Sequence, residues 1–263
     1  MKTNRLFCVA AVSAMAFCGG SFSALAESAA PAAMGGHAAP HWTYSGAEGP
    51  DNWGTLATDY HACSAGKMQS PIDLSNGNMW DTVSVNTNYK PAELEILHNG
   101  HTVQFNIGNG STMTSHGKEY SLLQIHFHTP SEHTTNGKAA PMEAHFVHQA
   151  ADGALAVLGV FYVEGAENSA LKAVFDNLPG ETTAAAKKGV KINPSDILPA
   201  SSGFYRYMGS LTTPPCSEGV NWFVLKKPTT ASKEQIAAMT KAIGPNARPV
   251  KPMNNRLLME PWN

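Results

Sequence analysis

Apolar and polar residues alternate with a period of two through the middle of this 263-residue chain. Val103, Phe105 and Ile107 alternate with Thr102, Gln104 and Asn106. Residues 122–128 and 143–149 behave similarly, and 154–163 form a continuous apolar run. A strand sends successive side chains to opposite faces, so alternation marks strands with one buried face, and the continuous run marks a strand buried on both. Two helices stand out. Ser232-Lys233-Glu234-Gln235 is a capping box followed by Ile236, Met239 and Ile243 at helical spacing. Asn168 or Ser169 can cap a second, with Leu171, Val174, Phe175 and Leu178 on one stripe. Many strands and few helices predict a mainly β (α+β) single domain. Its centre is a large, mostly antiparallel twisted sheet with short peripheral helices. The dispersed 23 Gly and 17 Pro fit such a turn-rich chain.

The N-terminus has a basic start (Lys2, Arg5), an apolar stretch from Leu6 to Phe17, and small residues ending Ala24-Leu25-Ala26. This is the pattern of a secretory signal peptide over residues 1–26, and the apolar run is too short to span a bilayer. Export to the periplasm or beyond follows, and no later stretch is apolar enough to span a membrane in the mature protein. Residues 27–40 are Ala/Pro/Gly-rich and read as a flexible tether; 41–263 read as one domain. With 43% hydrophobic and 14% charged residues the chain can build a sizeable core. Its 18 Lys+Arg against 20 Asp+Glu exclude the basic excess that nucleic acid or anionic membrane would favour. Cys8 and Cys18 leave with the leader, so Cys63 and Cys216 remain as an even pair in an oxidising compartment and are expected to be bonded.

Eleven histidines are the unusual count. In Gln124-Ile125-His126-Phe127-His128 the alternation puts Gln124, His126 and His128 on one face and Ile125 and Phe127 on the other. In Glu143-Ala144-His145-Phe146-Val147-His148 the residues Glu143, His145 and Val147 share a face. If the two strands are neighbours, His145 supplies a third imidazole beside His126 and His128. Three neutral imidazoles leave a fourth tetrahedral position open, as in a catalytic zinc site. Gln124 and Glu143 are placed to accept the second ring N–H of these ligands. The same pattern also fits hydrogen-bonded sheet histidines, and His126-x-His128-x-x-x-Glu132 is similar to the first metal motif of cupins. The glycine that cupins place six residues earlier is Tyr120 here, and no second cupin motif is visible.

From His41 to Arg256 the chain resembles the α-class carbonic anhydrases. The resemblance is carried by His41-Trp42-Thr43-Tyr44, Trp53-Gly54, Gln69-Ser70-Pro71-Ile72, Asn99-Gly100-His101 and the two histidine segments. It continues through Ser131-Glu132-His133, residues 155–159, Tyr205-x-Tyr207, residues 209–216 (GSLTTPPC), Trp222 and Asn254-Asn255-Arg256. Thr43 stands where glycine is common and Gln104 where asparagine often does. The resemblance implies a twisted sheet of about ten strands with the metal in a cone-shaped cleft. It implies a zinc lyase that reversibly hydrates carbon dioxide to bicarbonate and a proton, by attack of zinc-bound hydroxide. His126, His128 and His145 would bind zinc, Glu132 and Thr212 would form a gate, and His101 would shuttle protons. Val147, Val157, Leu211, Val220 and Trp222, with Thr212 and Thr213 beside them, would hold the substrate. Exported bacterial members carry a disulfide matching Cys63–Cys216 and are often dimers, so a homodimer is an expectation.

The chemistry gives each of these residues a reason. A threonine hydroxyl has one proton; if Thr212 donates it to Glu132, it can only accept from the nucleophile, whose lone pair then points at the substrate. The exposed imidazole of His101 has an unperturbed pKa near that of water bound to zinc. Tyr44, Asn99, Gln104 and Thr213 could order the connecting waters, and His98 could partly substitute for His101. His133 and His148 read as structural, while His37, His41, His61, His98 and His116 have no assigned role. The readings from other classes are a carbonic-anhydrase-like binding module without catalysis and a zinc buffer. The first usually lacks a zinc histidine, and the second needs neither Thr212 nor Glu132.

Overall fold

The architecture comes from a computed structural model that describes residues 40–261 apart from 76, 78, 109, 181–183 and 201–202. The leader expected over 1–26, the tether at 27–39 and His37 lie outside the described residues. A 13-stranded sheet dominates. Its main path runs through ten strands, from Met79–Asp81 at one edge to Ala184–Ile192 at the other. In the middle lie, in order, Phe204–Ser210, Glu218–Leu225, Leu155–Glu164, Met142–Gln149, Lys118–His128 and Val103–Asn106. Among the described strands of this sheet, the parallel pairs are Met79–Asp81 with Met259–Pro261, and Leu155–Glu164 with Glu218–Leu225 and with Thr229–Ala231. The sheet is therefore mostly antiparallel, as the alternation predicts.

The two faces bury different things. Phe105, Ile125, Phe127, Phe146, Leu158, Tyr162 and Phe223 belong to the larger apolar core on one face. Val157, Tyr207, Val220 and Trp222 lie in a second core on the other. The strand Leu155–Glu164 contributes to both, which is why the run 154–163 reads as continuously apolar. Strict alternation fails within the strand that carries His126 and His128. A register shift between Leu122 and Gln124 opens a bulge, so Leu122 joins Ile125 and Phe127 in the larger core instead of sharing the His126 face. A third cluster packs Trp53 and Tyr60 around a Cys63–Cys216 disulfide, as the compartment argument expects.

The helix Lys233–Ile243 forms with both halves of its capping box closed: Gln235 N donates to Ser232 Oγ and Ser232 N to Gln235 Oε1. The other helical segment is shorter than its stripe suggests. Asn168 caps a 3-10 turn, Ser169–Leu171, and one α turn, Lys172–Phe175, follows. No described helix is long and apolar enough to cross a membrane.

Candidate metal centre and its cleft

The strands Lys118–His128 and Met142–Gln149 are antiparallel neighbours, with His126 opposite His145 and His128 opposite Glu143. That register brings one nitrogen of each of His126, His128 and His145 within 4.8 Å of the others. The remaining nitrogens are tied down. His126 Nδ1–H donates to Gln124 Oε1 at 2.8 Å, and His128 Nδ1–H to the carbonyl of Asn246 at 2.8 Å. His145 Nε2 stands 3.1 Å from Glu143 Oε1, off the line of a good hydrogen bond. The nitrogens left for a metal are therefore Nε2 of His126 and His128 and Nδ1 of His145. His128 Nε2 is buried with no hydrogen-bond partner. A buried orphan nitrogen facing two further imidazoles fits a cation with a preference for nitrogen ligands.

Glu143 holds the centre from behind. Its Oε2 accepts from the backbone N–H of Glu132 (2.9 Å) and His133 (3.0 Å), and its Oε1 from His133 Nδ1 (2.8 Å). His133 Nε2 is 2.7 Å from Tyr207 Oη, which is 2.8 Å from Ser70 Oγ. An ionised carboxylate only accepts, so His133 Nδ1–H donates to Glu143, and Tyr207 Oη links the other side of that ring to Ser70. Gly159 lies opposite His145, and a Cβ there would come within 3.0 Å of Glu143 Oε1. His133, Glu143 and His145 could geometrically hold a second ion, but the Glu143 oxygens are already occupied by N–H donors.

Burial, reinforced by the neighbouring imidazoles, holds His126 well below the usual histidine range, and burial also lowers His128. Burial alone would lower His145 too, but the charges of Glu143 and Glu132 outweigh it and raise the pKa. Burial would raise the Glu143 carboxyl, yet the charges of His133 and His145 hold it well below the carboxylate range.

Beside the imidazoles the strands lay down an apolar wall. Val157 pairs with Val147 on one side and Trp222 on the other. Val220 and Leu211 pack into the same cluster, and the Trp222 ring stands 4.8 Å from the His145 ring. All five residues expected to line the substrate site meet here. Thr212 is buried and Thr213 half-buried on the loop that follows Leu211.

Glu132 lies where expected, but its bond does not. No hydrogen bond joins Thr212 to Glu132 among the described residues. Glu132 Oε1 accepts the backbone N–H of Arg248 at 2.9 Å, and its Oε2, without a hydrogen-bond partner, sits 3.4 Å from His128 Nε2. His101 is half-buried at the start of its strand, its ring stacked on Trp42 at 3.7 Å. Burial, then the charges of His41 and His98, lower its pKa. Tyr44 packs edge-on against Trp42 and Trp53, and burial followed by the Glu132 charge raises its pKa well above the tyrosine range. Gln104, register partner of His126, donates its amide to Asn106 Oδ1. Asn99 turns its Oδ1 onto the backbone N–H of His101 and Thr102, leaving only its NH2 for water. His98 proves to be locked: Nε2–H donates to Ala242 O and Nδ1 accepts from Gly100 N–H, so it has no free nitrogen to substitute for His101.

Sequence reasoning missed Asn246 and Arg248. Asn246 supplies the carbonyl behind His128, accepts Thr129 N–H, and donates Nδ2 to the carbonyls of His101 and Phe127. The buried Arg248 side chain donates to Ser70 O and Cys63 O. Main-chain carbonyls occur at every residue and amide N–H groups at every residue but proline, so their use leaves no trace in composition or spacing.

Residues 48–260 match the family model of the eukaryotic-type carbonic anhydrases. The chain belongs to the α-carbonic anhydrase family. A carbonic anhydrase of Neisseria gonorrhoeae is 40% identical over 231 residues, covering 87% of this chain and 90% of that protein. A carbonic anhydrase of a Nostoc species is 41% identical over 252 residues, covering 94% of each. The α-carbonic anhydrase of Thermovibrio ammonificans, solved with the inhibitor sulfanilamide, is 43% identical with a TM-score of 0.79, covering 84% of this chain and all of that one. The α-carbonic anhydrase match spans the histidine strands, the apolar wall and the Asn246–Arg248 segment alike.

Proposed function

We propose that this cleft catalyses the reversible hydration of carbon dioxide to bicarbonate and a proton, with zinc held by His126, His128 and His145. The observation that carries it is the set of three inward nitrogens, each with its opposite ring nitrogen against Gln124, Asn246 or Glu143. Zinc bound there supplies a Lewis acid that makes hydroxide available from water near neutral pH; carbonic anhydrase is itself the standard example of that shift, to a water pKa of about 7.

The chain's own residues do the rest. The wall of Val147, Val157, Leu211, Val220 and Trp222 receives apolar carbon dioxide without offering it a hydrogen bond. Glu132 Oε2 has no hydrogen-bond partner and is available to accept a hydrogen bond from the Thr212 hydroxyl. Thr212 Oγ is then an acceptor only and orients the attacking oxygen. His101, whose ring makes no hydrogen bond to protein among the described residues, accepts the released proton and passes it to buffer, while Tyr44, Gln104, Thr213 and the Asn99 amide order water between. The catalytic unit is residues 41–263, exported after removal of 1–26, a reading supported by the Cys63–Cys216 disulfide. The test is carbon dioxide hydration by the mature protein with zinc, after chelation, and after zinc is restored. Activity that survives complete chelation would overturn the assignment.

A further inference from the structure

The sequence contains four Asn-Gly pairs, at 76–77, 99–100, 109–110 and 136–137. Such pairs can lose ammonia. The glycine nitrogen attacks the asparagine Cγ, its proton leaves to a base, the C–NH2 bond breaks, and ammonia departs with a proton. Water then opens the cyclic imide to aspartate or isoaspartate. Two requirements decide the rate in a folded protein: a base at the glycine N–H, and donors where negative charge gathers on the asparagine oxygen.

Both are present at Asn99-Gly100. Gly100 N–H donates to His98 Nδ1 at 3.1 Å. His98 Nε2–H donates to Ala242 O at 2.9 Å, which selects the tautomer with a lone pair on Nδ1. Asn99 Oδ1 accepts from His101 N–H at 3.0 Å and Thr102 N–H at 2.9 Å. Asn99 and Gly100 are exposed, and a Cβ placed on Gly100 would meet nothing within 4 Å. Asn136-Gly137 is the natural contrast. It is the same dipeptide, equally exposed, but Gly137 N–H faces the Asp73 carboxylate, a far weaker base than imidazole. No donor reaches Asn136 Oδ1 among the described residues.

We propose that Asn99 is a site of spontaneous deamidation promoted by the fold, with His98 taking the Gly100 proton and the His101 and Thr102 amides stabilising the charge on Oδ1. The inference is independent of the carbon dioxide reaction. Its product matters for the cleft, because isoaspartate lengthens the main chain by one carbon two residues before His101.

The folded chain is incubated at neutral pH and its peptides are analysed by mass spectrometry and isoaspartyl methyltransferase labelling. The same chain unfolded in denaturant gives the reference, since both sites then have the same dipeptide chemistry. The expected result is a ratio of Asn99 to Asn136 conversion at least threefold higher in the folded protein than in the unfolded one. His98→Gln, folded by circular dichroism, should return the ratio to within twofold of the unfolded value and leave site 136 unchanged. A smaller rise, or a fall, overturns the proposal: the bonds to Oδ1 then pin the amide away from attack. A raised ratio that His98→Gln does not change overturns the role of His98.

Discussion

The Glu143 carboxylate accepts from two backbone amides and His133, with His145 Nε2 close beside it. This is how a fully buried charge is tolerated: its hydration is replaced by fixed donors. Glu143→Gln keeps the shape but puts an NH2 where only an acceptor fits. Zinc affinity should fall about 10- to 100-fold, read by competition with a chromogenic chelator. An affinity within twofold of wild type would mean His145 is oriented by packing alone. His148 makes a prediction of opposite character, since nothing catalytic depends on it. Burial pushes its imidazole down to about 4, while Nε2 bonds Tyr89 Oη. Between pH 6.5 and 4 the unfolded chain binds a proton that the folded one refuses, so stability falls as pH drops through that window and is unaffected above it. The loss is up to roughly 3 kcal/mol. In His148→Gln the urea midpoint should change less between pH 7 and pH 4.5 than in the parent; an equal change would assign the acid sensitivity elsewhere.

The segment after the helix Lys233–Ile243 is the element on which the site most depends. Gly244, with φ of 66°, turns the chain out of the helix, and Asn246 and Arg248 then run beneath the histidine strand. Five hydrogen bonds, two accepted and three donated, join Asn246 to His128, Thr129, Phe127 and His101. The same contrast of locked and free groups separates two histidines in the hairpin that follows the strand Ala92–His98. His98 has both nitrogens engaged; the His101 ring is held by stacking alone. A group of pKa near 7 that loses its proton to bulk water turns over no faster than about 10³ per second. His101→Ala should therefore lower kcat toward that ceiling in weak buffer, leave kcat/KM nearly constant, and recover with added imidazole. His98→Ala should leave kcat within about twofold. Stopped-flow hydration across imidazole concentrations checks both, and a kcat/KM that collapses in His101→Ala would show that the residue is structural.

At the scale of the molecule, the disulfide links two parts of the cleft that are 153 positions apart. Cys63 offers its carbonyl to Arg248, whose own N–H holds Glu132, and Cys216 closes the loop that carries Thr212 and Thr213. Chain entropy alone assigns the link up to about 5 kcal/mol. The Cys63→Ser, Cys216→Ser double variant should lose a large part of that in denaturant midpoint. Its hydration rate should fall more than its zinc content, because the three ligands stand on the central sheet while Thr212 stands on the loop. Metal loss in step with activity would show instead that the link supports the sheet.

Much of this was legible in one dimension. Period-two alternation is a local property, so it placed the central strands, put His126, His128 and Gln124 on one face, and set Glu143 beside His145. The capping box did the same for the helix, since its two bonds close within four residues. Two cysteines remaining once the expected leader is set aside foretold their own bond. What the pattern could not contain is anything set by a chain returning from far away. The opposition of His126 and His145 depends on strand pairing, and the bulge near Leu122 breaks the strict alternation on which a face assignment rests. The Asn246 carbonyl, the Arg248 amide, the locked state of His98 and the direction of Glu132 are contacts between main-chain groups and distant side chains. Every residue carries a main-chain carbonyl and every residue but proline an amide N–H, so only the tertiary structure decides which of them are used.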